Sequence, residues 1–220
     1  MDADLIIKNI GTLATLKGPQ RARGGSEQGD IGVTKDAVIA AKSGRIIYVG
    51  AGALPESITA NKDTIIIDAG GKLVTPGFVD SHTHLVHGGS RENEFSMKLK
   101  GAKYMDILNA GGGIHSTMRN TRSMSSEELY IQAEKSLNRM LSFGVTTVEA
   151  KSGYGIEDLD TEIKQLEVAK RLNEEHAVDV ISTFMGAHAV PMAYKHDPEE
   201  FVQKIIQEMI PVVAEKNLAS

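Results

Sequence analysis

The sequence contains no cysteine among its 220 residues. That excludes disulfides and thiolate metal sites, so any metal must be held by histidine, carboxylate or water. It has no apolar run approaching the ~20 residues of a membrane span. Its N-terminus, Met-Asp-Ala-Asp-Leu-Ile-Ile-Lys, lacks the basic region and long apolar core of a signal peptide. There is no excess of positive charge: 24 Lys and Arg against 29 Asp and Glu give −5. That balance offers no general attraction to nucleic acid or to an anionic membrane. With 41% hydrophobic residues a core can form. A soluble cytoplasmic protein is the expectation.

What is present divides at the Gly70-Gly71 pair. Residues 1–71 carry short β-type runs, at 5–7, 13–16, 37–41, 45–49 and 64–68, and read as a small β-region. Lys42-Ser43-Gly44 marks a hairpin turn. The tract 17–35, rich in glycine, serine and charge, reads as a mobile loop; its Arg21 and Arg23 are too few to argue RNA binding on an acidic chain. From residue 72 to 220 strand and helix alternate, which predicts a parallel sheet. The expected strands are 73–84, 144–150 and 179–185. Ser125 and Glu128 have capping-box spacing, followed by an apolar stripe of Leu129, Ala133, Leu137, Met140 and Leu141. A second helix is expected near 160–175, with Ile163, Leu166, Ala169 and Leu172 inward. A third should begin at Pro198, with Phe201, Ile205 and Met209 inward, and Pro211 should kink or restart it.

The chemistry concentrates at Asp80-Ser81-His82-Thr83-His84. On a strand, residues two apart share a face, so His82 and His84 can hold one divalent ion together. Asp80 then orients its neighbours without binding the ion itself. Glu149 and Lys151 lie at the end of the next strand, but neither is assigned to metal. His87 and His115 read as loop residues, and His176 and His196 as solvated helix ends.

The opening Pro76-Gly77-Phe78-Val79 before Asp80 resembles the first strand of the amidohydrolase superfamily. Three further motifs narrow the likeness: His87-Gly88-Gly89-Ser90-Arg91 with Glu92 and Glu94, Ser152-Gly153-Tyr154-Gly155 after the second strand, and Gly186-Ala187-His188 after the third. Together with Gly111-Gly112-Gly113, these resemble the imidazolonepropionase family over about half of that family's length. The resemblance implies a TIM-like (β/α)8 barrel of the metal-dependent hydrolase type, here its first three βα units, preceded by an N-terminal β-sandwich region. Active sites in that fold lie at the C-terminal strand ends. It implies one zinc or iron ion on His82 and His84, with two further ligands that no residue here matches. It implies substrate contacts from Arg91, Tyr154 and His188, with His188 also moving protons, and a homodimer. The activity implied is hydrolysis of the cyclic amide of 4-imidazolone-5-propanoate to N-formimino-L-glutamate. Two other readings stay open: another amidohydrolase, such as a heterocyclic base deaminase or cyclic amidase, and an inactive fragment needing its missing C-terminal half, inactivity being what is expected of the 220 residues taken alone.

Overall fold

The computed structural model describes residues 1–19 and 21–219, apart from the side chain of Asn109. It divides into two compact units, Met1–Pro76 and Gly77–Ser220.

The first unit is a single mixed sheet of five strands. Strand β1 (Leu5–Ala14) pairs antiparallel with β2 (Val33–Lys42), which pairs antiparallel with β3 (Arg45–Ala51). Parallel to β1 run β4 (Ile65–Asp68) and the short β5 (Leu73–Val74). The two runs expected at 5–7 and 13–16 are therefore one strand. They read as two because the register slips between Ile7 and Ile10, where Asn9 takes a φ of 55°. An extra residue in one strand breaks the period of two, and Ile7 and Ile10, three apart, pack in one cluster. The predicted hairpin turn is present, with Ser43 and Gly44 both at positive φ, the geometry that matches strand twist. The tract expected to be loop holds a 3-10 turn at Gly25–Gly29 and the first residues of β2.

The expected strand 73–84 is not continuous. Leu73 and Val74 pair with Thr12 and Leu13 of the first unit, and β6 (Phe78–Thr83) begins the second. Pro76 lies in the gap and has no N–H to donate to a ladder. Strands β6, β7 (Val145–Lys151) and β8 (Asp179–Thr183) form an all-parallel sheet in that order.

Four helices separate β6 from β7: α1 (Glu92–Leu99), α2 (Tyr104–Asn109), α3 (Ile114–Ser123) and α4 (Ser126–Ser142). Helices α1 and α3 escape periodicity for a physical reason. Helix α1 buries no residue, and α3 buries two threonines, Thr117 and Thr121. Neither presents an apolar stripe. His115 accordingly lies on a helix, not in a loop. Helix α4 starts as expected: Ser125 accepts from the Glu128 amide, and the Glu128 carboxylate accepts from the Ser125 amide at 2.8 Å. Leu129, Ala133 and Leu137 are buried, whereas Leu141, in the final turn, is 37% exposed. Helix α5 (Leu159–Glu175) joins β7 to β8. After β8, α6 (Pro198–Lys204) runs through a π-turn at Ile205–Met209 into α7 (Ile210–Glu215), which Pro211 opens.

Helices α4 and α5 cover one face of the parallel sheet. Leu129, Leu137, Val148, Leu172, Val178 and Val180 meet there in one buried cluster, each contributing about 1.5–3 kcal/mol of burial. Val79 and Ile181 stay exposed. No helix among the described residues is long and apolar enough to cross a membrane.

Candidate functional site

Parallel strands put their C-terminal ends at one edge of the sheet, and the segments that follow converge there. His82 lies in β6 and His84 one residue past its end; Tyr154 follows β7 and His188 follows β8. The His84 ring lies 4.8 Å from that of Tyr154 and 4.7 Å from that of His188, centroid to centroid. His82 is 5.9 Å from His84. His87, read as a loop residue, has its ring 6.3 Å from that of Tyr154. Four of the five expected site residues thus form one ring cluster.

Arg91 completes the set from the side. It lies at the N-terminal end of α1 and, with Tyr154, His87 and Thr117, lines an open cavity of about 720 Å³. Its Nε and Nη2 donate to Thr117 Oγ1 at 3.0 and 2.9 Å. No carboxylate pairs with Arg91 among the described residues, so Glu92 and Glu94 do not neutralise it. Glu94 instead accepts from the Gly113 amide at 2.7 Å. A guanidinium has five N–H groups. With two engaged by Thr117, the Nη1–Nη2 edge remains for a ligand.

The loops are held by hydrogen bonds to buried groups. Gly88 donates to Thr121 Oγ1 at 2.9 Å, and Gln132 Nε2 donates to the carbonyls of His87 and Gly89. A Cβ on Gly88 would lie 2.5 Å from the Asn120 backbone, so the paired glycines let this loop approach α3. Ser152 ties the second loop to the third: its amide donates to Thr183 O, and its hydroxyl accepts from the Met185 amide. Glu162, fully buried on α5, accepts from the amides of Gly153, Gly155 and Ile156 at 3.0, 2.6 and 2.8 Å. Burial pushes its carboxyl up from the ordinary value, against the pull of the Ser152 hydroxyl and those N–H groups.

Glu149 and Lys151, unassigned in the sequence, form an ion pair with each other. Thr183 also donates to Glu149 at 2.7 Å. Asp80 accepts from the His82 amide at 3.3 Å, a local contact with the backbone of the histidine it was expected to orient. His176 caps the end of α5 and is half-buried; His196 is exposed in a loop before α6.

Whether this site suits a metal can be asked of His84. Its Nδ1 is buried with no hydrogen-bond partner, and burial holds the ring's pKa below the usual histidine range. A neutral imidazole with an unsatisfied nitrogen is the form that binds metal. The site fits in part: among the described residues no three His, Asp or Glu side chains converge as a ligand set. Burial also pushes the Tyr154 phenol up, the Arg91 charge opposing, so that phenol stays protonated.

Sequence reasoning missed Thr117, Glu162 and Gln165. The signal existed for the last two: polar residues interrupt an otherwise apolar face of α5.

Residues 66–103 match the amidohydrolase family. The chain is 52% identical, over 219 residues, to an imidazolonepropionase of Alkaliphilus metalliredigens, which covers all of this chain and 52% of that protein. It is 50% identical over 216 residues to that of Bacillus velezensis, covering 98% of the chain and 50% of the relative. The chain thus spans about half the length of the curated relatives it matches. Among solved structures, a triazine hydrolase from Arthrobacter aurescens superposes with a TM-score of 0.51 at 18% identity, covering 82% of this chain and 35% of that one. A mutant atrazine chlorohydrolase from the same species, complexed with zinc and atraton, gives 0.50 at 18%, over 81% and 35%. At such identities the likeness concerns the fold alone.

Proposed function

Since the chain is a homologue of the imidazolonepropionases along its whole length, we propose that it serves hydrolysis of the cyclic amide C–N bond of 4-imidazolone-5-propanoate to N-formimino-L-glutamate. The observation that carries the reading is the convergence of His84, Tyr154 and His188 beside a cavity walled by Arg91, which has no carboxylate partner among the described residues.

Arg91 takes the propionate. Its free Nη1–Nη2 edge presents parallel N–H groups to a carboxylate, and Thr117 fixes the plane of the guanidinium. Tyr154, protonated and half-buried, donates its hydroxyl to the ring. His188 contacts the opposite part of the substrate ring and moves a proton between it and solvent. His82 and His84 hold one divalent ion, zinc or iron, both of which accept imidazole and carboxylate ligands. When bound, that ion supplies an acidified water and a Lewis acid for the carbonyl. A heterocyclic base deaminase needs no group for a propionate, so Arg91 favours the acid substrate. Identity along the entire chain favours the hydrolase over a chain without catalytic purpose.

The same reading takes β6–β8 as strands of a (β/α)8 barrel and the first unit as part of a β-sandwich. Val79 and Ile181 then face packing partners within the barrel. A homodimer belongs to the same proposal.

The test is steady-state hydrolysis of the imidazolone acid and of its analogue lacking the carboxylate. The proposal expects Arg91→Met to abolish preference for the acid; an unchanged preference contradicts it.

A further inference from the structure

Helix α5 buries an apolar face of Ile163, Leu166, Ala169 and Leu172, yet polar Thr161, Glu162 and Gln165 are buried on it as well. Glu162 is 0% exposed and Gln165 is 1% exposed. A buried carboxylate is costly unless its charge is compensated, and no cation lies in a salt bridge with Glu162 among the described residues. Its partners are three main-chain amides of one loop, Gly153, Gly155 and Ile156, and the hydroxyl of Ser152 at the start of that loop. Gln165 makes two ties from the next turn. Its Oε1 accepts from the Tyr154 amide at 3.2 Å, and its Nε2 donates to Val86 O at 2.7 Å. Val86 lies two residues past His84.

An apolar residue would fill this space without desolvating a charge. The carboxylate instead specifies a loop conformation: Gly153 at φ +110°, and Gly155 so close that a Cβ would lie 2.6 Å from the Glu162 amide. Resting on the reading of Tyr154 as a substrate contact, we propose that Glu162 and Gln165 are positioning residues for Tyr154. The first shapes the loop that carries it. The second fixes that loop's distance from the His84 segment. Neither touches substrate.

A double-mutant cycle tests this. In the otherwise native enzyme Glu162→Gln replaces one acceptor oxygen by an amide that faces an N–H. It should lower kcat/KM about tenfold, the lower end for residues that orient a site from behind. It should also speed hydrogen exchange of the 153–156 amides at least about tenfold. In a Tyr154→Phe background the same change should lower kcat/KM less than about twofold, because effects acting through one group do not add. An equal loss in both backgrounds, or unchanged amide exchange, overturns the inference. Should Glu162→Gln fail to fold, Gln165→Met carries the same cycle with the same outcomes. Tyr154→Phe with undiminished kcat/KM would overturn the substrate role of Tyr154 and this inference with it, whereas additive losses overturn the inference alone.

Discussion

The ring of His84 lies 4.7 Å from that of His188, although 104 residues separate them in sequence. Their approach is set by the parallel register of β6, β7 and β8 and by the Ser152 bridge between the second and third loops. The Gly153 φ of +110° allows it: a Cβ there would lie 2.9 Å from His188 Cβ and 3.0 Å from Met185 O. Gly153→Ala should therefore displace His188. We expect activity to fall by at least about tenfold, since strained backbone of this kind costs about 1–3 kcal/mol. Steady-state kinetics checks it, and wild-type kcat/KM would contradict it.

Arg91 and Thr117 form the next pair. Arg91→Met removes a charge-assisted contact worth about 1.5–3 kcal/mol, so kcat/KM for the acid should drop by roughly 10–100-fold, chiefly through KM. Thr117→Val keeps the shape and removes the acceptor that orients the guanidinium. Its loss should have the same sign and be smaller. Initial rates over a range of substrate concentrations separate the two, and a Thr117→Val loss exceeding that of Arg91→Met would contradict the assignment.

The α4 cap gives a pH-dependent prediction. The Ser125 amide, as first cause, holds the Glu128 carboxyl below its ordinary 4.5. A depressed folded pKa means the unfolded state binds the proton more readily. The stabilising effect is therefore complete above pH 4.5 and is lost as pH falls through the lower folded value. Glu128→Gln should flatten the stability profile in that acid window and leave its shape unchanged near neutrality. Denaturant titrations at several pH values measure it. Ser125→Ala should cost about 1 kcal/mol at neutral pH.

That cap was legible in the sequence because Ser125 and Glu128 meet through local spacing alone. The same holds for the apolar faces of α4 and α5 and for the hairpin turn at Ser43 and Gly44. Residues whose role depends on non-local contacts were not legible. Thr117 matters because it lies under Arg91, 26 residues away, on a helix that buries threonines in place of an apolar stripe. Glu162 and Gln165 interrupt the apolar face of α5, and what they do shows only once the loop they bind is packed against them. The expected strand 73–84 misled because the apolar residues on either side of Thr75-Pro76-Gly77 conceal a change of partner: Leu73 and Val74 pair with β1, and Pro76 separates them from β6. Within the site, the motif residues were found by resemblance, and their convergence required the sheet.

We propose that His82 and His84 hold the ion that hydrolysis needs. Elemental analysis of the purified enzyme beside its His82→Ala/His84→Ala variant tests this most directly, with turnover followed in parallel. We expect about one equivalent of zinc or iron in the native protein, and loss of both metal and turnover in the variant. Full metal content in the variant, or undiminished turnover of the native protein after exhaustive chelation, would contradict it.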